Sequence, residues 1–538
     1  MKKNRFLCLL SFFGVGLLSI TSCGFLASLY PDAVIDGGKN LTVTKNEENE
    51  NSSFVSGDCI TPDQVSLSLD CRAVDANSYN VNYLPSVGNS KILVVPIDFS
   101  GVSGISTSYT FDTTNLEKLN TLFFDDGTDT SLSYESVASF YKKSSFGKLN
   151  LSGAVTSPYK VTSSGYSTLS SINQDATVKI LSDSVKSFIA NESIKVSDFD
   201  SNNDGVIDAV WMVYNVKNYS NGKYKNSNMW AYTFFNQGAN NFHKVNTFSW
   251  ASYDFMLESG ASKIDAHTYI HETGHMLGLS DYYDYSNNCS PTGFVDMMDA
   301  NIIDHNSYSK LLLGWTKPYI INGDCEINLA SANYENNCIV VPYDGYKTTK
   351  IGSKYSFNPF DEYLLIEFYT PTGLNKADSD ETYSNNVKGL SSNGFRVYHV
   401  DNRLIYLTQT SVKWYASSDK LNIDSALLLT IMSNTTAGEN VANETTTGNM
   451  IKNYVKNPPS SMLNIDDNHE LLIIDSGKQY SYQKPFVNSF GKLIQYNVLD
   501  LFQPDDVFSV SSYKKYFRYG STNKFDNGSS FTNNVYFK

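Results

Sequence analysis

The chain first becomes regularly apolar at residues 91–99, where Lys-Ile-Leu-Val-Val-Pro-Ile-Asp-Phe forms an almost unbroken run suited to a strand buried on both faces. Helical patterns follow at Leu116–Phe124, Tyr134–Lys143 and Ala176–Ala190, and Val206–Tyr214 gives a second buried-strand run. This alternation continues to about Trp315 and predicts a mixed α/β unit. Beyond Pro318 the pattern changes. Residues 338–342, 363–369, 395–400, 426–432 and 471–474 are short, apolar and β-rich, separated by Asn, Gly, Ser and Asp turns. They predict an all-β, sandwich-like carboxy-terminal region. From Gly24 to about Gly88 the chain is polar and without period, and it reads as a tether that includes a small pro-segment. The expected division is a leader over 1–22, a tether over 23–88, an α/β (α+β) unit over 89–318 and a β-rich unit over 319–538.

The leader has its own pattern. Lys2, Lys3 and Arg5 precede an apolar run from Phe6 to Ile20, shorter than the roughly 20 residues of a spanning helix and matched to a signal sequence. It ends in Ile20-Thr21-Ser22-Cys23, which resembles the lipobox of bacterial lipoproteins. The resemblance implies cleavage before Cys23, a lipid on that cysteine, and anchoring at the outer face of the bacterial cell membrane.

Composition narrows the picture further. Aromatic residues make up 14% of the 538 and charged residues 18%, the reverse of a disordered chain. The net charge of −14 includes the three basic residues of the leader, so the exported remainder is more acidic still and nucleic acid is an unsuitable partner. Of seven cysteines, Cys8 and Cys23 belong to export, leaving Cys59, Cys71, Cys289, Cys325 and Cys338. Cys59 with Cys71, and Cys325 with Cys338, are close enough in sequence to close short loops, and Cys289 would then be the odd thiol.

Candidate chemistry is concentrated in His271-Glu272-Thr273-Gly274-His275. On a helix, positions i and i+4 share a face, so both imidazoles can reach one Zn²⁺ at roughly 2.0–2.1 Å. Glu272, next in sequence, can lean over the same metal and take a proton from an attacking water. Gly278 follows three residues after His275 and can end the helix by adopting positive φ, which turns the chain back and brings Asp281 to the metal as a third ligand. Three protein ligands and an open position characterise catalytic rather than structural zinc.

The stretch His271 to Asp284, reading His-Glu-Thr-Gly-His-Met-Leu-Gly-Leu-Ser-Asp-Tyr-Tyr-Asp, resembles the active-site signature of the immune inhibitor A family of secreted bacterial zinc metalloproteases. Gly293-Phe294-Val295-Asp296-Met297-Met298 resembles that family's Gly-x-Trp-Asp-x-Met segment, with Val295 in place of Trp and Met298 as the implied Met-turn residue beneath the metal. Further similarity lies in Ser139 to Leu149, in Ser307 to Trp315, in Glu362 to Tyr369, in Gly394 to Asp401 and, more weakly, from Leu501 onward. The resemblance implies a zincin/metzincin-like catalytic domain and endopeptidase activity on proteins outside the cell. It leaves Asp281, Asp284 or a more distant carboxylate open as the third ligand, with Asp281 favoured.

A second acidic feature, Asp200-Ser201-Asn202-Asn203-Asp204-Gly205-Val206-Ile207-Asp208, alternates oxygen donors as a Ca²⁺ loop does, but Trp211 stands where an EF-hand has its bidentate Glu. Asp200, Asn202, Asp204 and Asp208 are therefore the candidate calcium ligands, and an Asp/Asn turn is the plain alternative. Among the other histidines, His267 reads as a surface residue or a support behind the metal ligands. His305 reads as structural, or else as an aid to substrate binding, and His399 as a strand residue with a local hydrogen bond. The reading as a whole is a surface-anchored zinc endopeptidase. Its rivals are an inactive adhesin on a metalloprotease fold and a zinc hydrolase of glycoproteins or cell-wall peptides.

Overall fold

The computed structural model describes residues 32–35, 38–45, 53–67, 82–162, 166–218, 229–236, 242–260, 262–283, 291–383, 388–407, 412–414, 427–430, 434, 470–478, 486–487, 493–495 and 499–538. Residues 1–31, which include Cys23, and also Cys71, Asp284 and Cys289, lie outside them. Among the described residues no helix is long and apolar enough to cross a membrane.

The two predicted buried runs lie side by side in the first sheet. Its order is Leu149–Val155, Gly88–Asp98, Ile207–Tyr214, Val245–Ser252 and Tyr232–Phe235, with the short Tyr159–Lys160 also pairing to Gly88–Asp98. The first four strands are mutually parallel and Tyr232–Phe235 is antiparallel at the edge. Both faces of the central strands are covered, as the lack of polar alternation required: every residue of Ile207–Tyr214 and of Val245–Ser252 is buried. One face packs on Gln174–Ala190, with Ile180, Leu181, Val185 and Phe188 in its core. The other face packs on Thr113–Phe124, Val137–Ser144 and the helix His267–Met276. The predicted helices are present, each within a turn of its expected bounds, and capped by Asp112, Ser136 and Asn173, whose side chains accept amide hydrogens of the first turn.

The second sheet has nine strands and corrects two expectations. Its order is Leu471–Ile473, Gly394–Asp401, Glu362–Tyr369, Asn337–Pro342, Lys317–Leu329, Asn40–Lys45, Asn534–Phe537 and Val507–Phe508, with Phe54–Ile60 also on Lys317–Leu329. Asn40–Lys45 and Phe54–Ile60 fall in the stretch expected to be a tether. They are strands because Lys317–Leu329 offers them a ladder, Leu41 opposite Cys325 and Val43 opposite Ile327. Asp32–Ile35 and Val65–Leu67 likewise enter a four-stranded sheet with Tyr346–Ile351 and Lys354–Phe357. The β-rich unit is therefore completed by the amino-terminal segment.

Among the described residues it does not form a two-sheet sandwich. Along Glu362–Tyr369 the side chains alternate: Tyr363, Leu365 and Tyr369 join the core shared with the first unit, while Leu364, Ile366 and Phe368 face the other way. That second face is covered by the carboxy-terminal segment, through Phe502, Phe508, Tyr513, Phe517, Phe525 and Phe531. The segment contributes few strands, so aromatic packing rather than a second sheet closes the layer. Alternation also rules out the expected Cys325–Cys338 bridge. Cys338 sits opposite Pro318, seven residues along the strand from Cys325, and packs into the core on the opposite face. Cys59, Cys325 and Cys338 are all free.

Candidate active site

The helix His267–Met276 is buried on nearly every side, and its polar groups are each given partners. Trp211 Nε1 donates to Thr273 Oγ1 at 3.1 Å, the Tyr141 hydroxyl to the Ile270 carbonyl at 2.7 Å and the Tyr269 hydroxyl to the Ser252 carbonyl at 2.7 Å. Such fully engaged groups hold a helix in one position within the core. Its end follows the sequence expectation. Leu279 N donates to the Gly274 carbonyl and Gly278 N to that of His275, a Schellman-type closure, with Gly278 at φ +96°. A Cβ on Gly278 would also come within 2.9 Å of the Tyr83 ring, so both conformation and space demand glycine there.

The turn-back delivers Asp281 to the two histidines. Its Oδ1 lies 3.0 Å from His271 Nε2 and 3.3 Å from His275 Nε2. The ligand atoms of the three residues all lie within 4.8 Å of one another. The opposite ring nitrogens are taken by backbone: His271 Nδ1 bonds the Met297 carbonyl at 2.8 Å and His275 Nδ1 the Leu279 carbonyl at 2.8 Å. Carbonyls accept only, so each Nδ1 carries its hydrogen, and Nε2 is the ring atom that faces Asp281 and that a metal would take.

This donor set fits a tetrahedral metal. Ligands at 2.0–2.1 Å from one ion stand roughly 3.3 Å apart, close to the two separations seen from Asp281. Burial alone would raise the Asp281 carboxyl, but His275 and His271 outweigh it and hold it well below the usual carboxylate range. Burial likewise works against charge on His275, yet Asp281 raises it to about 9.

Glu272 bonds the edge strand beside the triad. Its Oε2 accepts from Thr233 Oγ1 at 2.9 Å, and its proton affinity is raised by burial, with His275 and His271 acting against that. Beneath the site, Met298 packs against the helix at Gly274, and the Met298 carbonyl accepts from Tyr282 N at 2.9 Å. Asp296 fixes this turn, accepting from Met298 N, Asn306 N and Asn306 Nδ2 at 2.8–2.9 Å. Arg396, on the second sheet, donates to the Val295 carbonyl at 3.1 Å and pairs with Glu367 at 2.6 Å.

The remaining histidines divide. His267 is not on the surface: it is buried, Nδ1 2.8 Å from Asp265 and Nε2 3.1 Å from Asp378, stacked on Tyr134 with ring centroids 4.4 Å apart. His305 is 1% exposed, ringed by Phe140, Tyr141 and Trp315, with no hydrogen bond at either nitrogen. That burial is incompatible with touching a substrate. Burial, with Lys310 and His271 nearby, holds it neutral. His399 bonds Glu362 at 2.9 Å, as a strand histidine was expected to do.

Glu362, His399 and Asp526 form a second group of ligand-type atoms within 4.8 Å, and Glu362 is already bonded from three sides. Glu362 accepts from His399 and from the amides of Asp526 and Asn527, and Arg403, bonded to Asp401, lies alongside. The cluster fastens the carboxy-terminal segment to the sheet.

The Asp200–Asp208 loop does not gather its three carboxylates into such a group. Asp200 and Asp204 mainly accept backbone amides of Asp204, Gly205 and Val206, which is turn geometry. One oxygen stands apart: Asp208 Oδ1 is buried without a hydrogen bond.

Sequence reasoning missed Thr233, Asp265 and Asp378. Thr233 lay in an aromatic-rich stretch that reads only as core, and Asp378 is more than a hundred residues from the histidine it holds.

A helix bearing two imidazoles, a carboxylate delivered by a glycine turn, and a methionine turn beneath them make this unit a metallopeptidase domain. Residues 80–304 match the family model of the immune inhibitor A peptidase M6, catalytic domain. No curated protein matches the chain.

Proposed function

We propose that the protein is a surface-anchored zinc endopeptidase that hydrolyses peptide bonds of extracellular proteins. The observation that carries this reading is the convergence of His271 Nε2, His275 Nε2 and Asp281 Oδ1 beside Glu272, with both Nδ1 atoms engaged by carbonyls. When bound, zinc supplies a Lewis acid that polarises the scissile carbonyl and makes water a nucleophile near neutral pH. Asp281 contributes the negative charge that offsets the ion, and the two carbonyls keep the imidazoles aimed. Among the described residues nothing bonds Glu272 Oε1, so that oxygen is the one available to take the water proton and return it to the leaving amine. The carboxylate's raised proton affinity suits the second half of that cycle.

Anchoring at Cys23 would hold the enzyme at the outer face of the bacterial membrane, where folded or partly folded proteins reach it. Calcium at the Asp200–Asp208 loop is a secondary element of this reading that only the unbonded Asp208 Oδ1 favours, against the loop's turn geometry; a thermal shift on adding Ca²⁺ to chelated protein tests it. The central test is metal analysis with casein digestion on protein beginning after Cys23, beside Glu272→Ala. Zinc near one per chain in both and cleavage by the wild type alone is the expected result. Zinc in both and cleavage by neither would favour a binding protein on a peptidase fold.

A further inference from the structure

We infer that Thr233 is a positioning residue for the Glu272 carboxylate, a role that rests on the peptidase reading. Thr233 belongs to the edge strand Tyr232–Phe235 and stands directly opposite Ser249 in the antiparallel register with Val245–Ser252. Directly opposed residues present their side chains on the same face of a sheet, and here that face receives the active-site helix. Thr233 Oγ1 is 2.9 Å from Glu272 Oε2, 3.0 Å from the Glu272 carbonyl oxygen and 2.7 Å from Ser249 Oγ. One hydroxyl therefore touches both the main chain and the carboxylate of the same glutamate.

The consequence is geometric. A glutamate has three side-chain torsions, and Glu272 needs one oxygen held if the other is to stay over the reacting water. Thr233 has one proton and two lone pairs. Its proton goes to Oε2, the charged acceptor, and Ser249 donates to Thr233 Oγ1. The β-branched side chain has few χ1 choices, so the hydroxyl is preset by its strand rather than recruited by the glutamate. Burial sharpens the dependence: Glu272 is 6% exposed, and no solvent replaces a lost donor at Oε2.

The experiment uses the zinc-loaded chain beginning after Cys23, with a fluorogenic peptide. Thr233→Val should lower kcat roughly 10- to 100-fold with KM within about twofold, and Thr233→Ser should restore most of the turnover. Unchanged turnover in Thr233→Val overturns the inference. So does Thr233→Ser failing as badly as valine, because shape rather than the hydroxyl would then matter. A thermal-unfolding cycle of Thr233→Val, Glu272→Leu and the double variant provides a readout independent of catalysis. Tm shifts that fail to add support the contact, and additive shifts overturn it. A wild type that cleaves nothing sinks the peptidase reading itself, whereas a cleaving wild type with an additive cycle sinks only the role of Thr233.

Discussion

The sulfur of Met298 occupies the space in which a side chain at Gly274 would begin: a Cβ there would lie 2.5 Å from Sδ and 3.3 Å from the Tyr141 hydroxyl. Gly274 costs the helix about 1 kcal/mol in propensity, and this contact is the reason for accepting it. Met298 is fully buried, so moving its sulfur aside means displacing its packed neighbours. Gly274→Ala should therefore destabilise the protein by about 1–3 kcal/mol despite its better helix propensity. With Met298→Ala added, the loss should be smaller than the sum of the two single losses, as measured by chemical denaturation.

Asp281 is the described carboxylate that reaches both metal-site histidines. Asp281→Ala should lower zinc affinity by at least about 10- to 100-fold, read by competition with a chromogenic chelator. Retention of wild-type affinity would transfer the third ligand position to Asp284 or another carboxylate. Chelation of the wild type should abolish cleavage, and added zinc should restore it.

His267 carries charge inside the core. Burial opposes protonation, but Asp265 and Asp378 raise its pKa to about 10. A raised pKa contributes stability that is fully present below the unfolded value near 6.5 and is lost as pH rises through about 10. His267→Gln leaves two buried carboxylates without their cation, so below pH 6.5 it should cost about 3–5 kcal/mol. The Tm difference between wild type and variant should shrink steadily from pH 6.5 to 10. A constant gap would mean that the imidazole is not charged.

Glu362 holds the carboxy-terminal segment by accepting amides from Asp526 and Asn527. Glu362→Leu should expose residues 516–531 to limited proteolysis, with a stability loss of about 3–5 kcal/mol from the broken buried cluster. The catalytic core does not contain these atoms, so zinc binding should persist.

The legible part of the molecule was the part encoded over short range. An i, i+4 pair shares a face whatever surrounds the helix, and a glycine three residues later marks a left-handed turn, so the ligand triad followed from eleven consecutive residues. Fully apolar runs such as Val206–Tyr214 required cover on both faces and became central strands. By contrast, residues 40–45 and 54–60 carry little pattern, because much of each strand is only partly buried. Their ladder partners lie more than 250 residues away.

The sequence by itself determined that His271, His275 and Asp281 gather, two of the parallel core strands and the three helices that flank them, because periodicity and backbone stereochemistry act locally. The tertiary structure alone decided that an apparent tether completes the distal sheet, and that Cys325 and Cys338 lie on opposite faces of it. It also paired His267 with Asp378 and Glu272 with Thr233. Each of these depends on which surfaces meet, and a buried charge or an unpaired strand edge finds its partner only once the chain has folded around it.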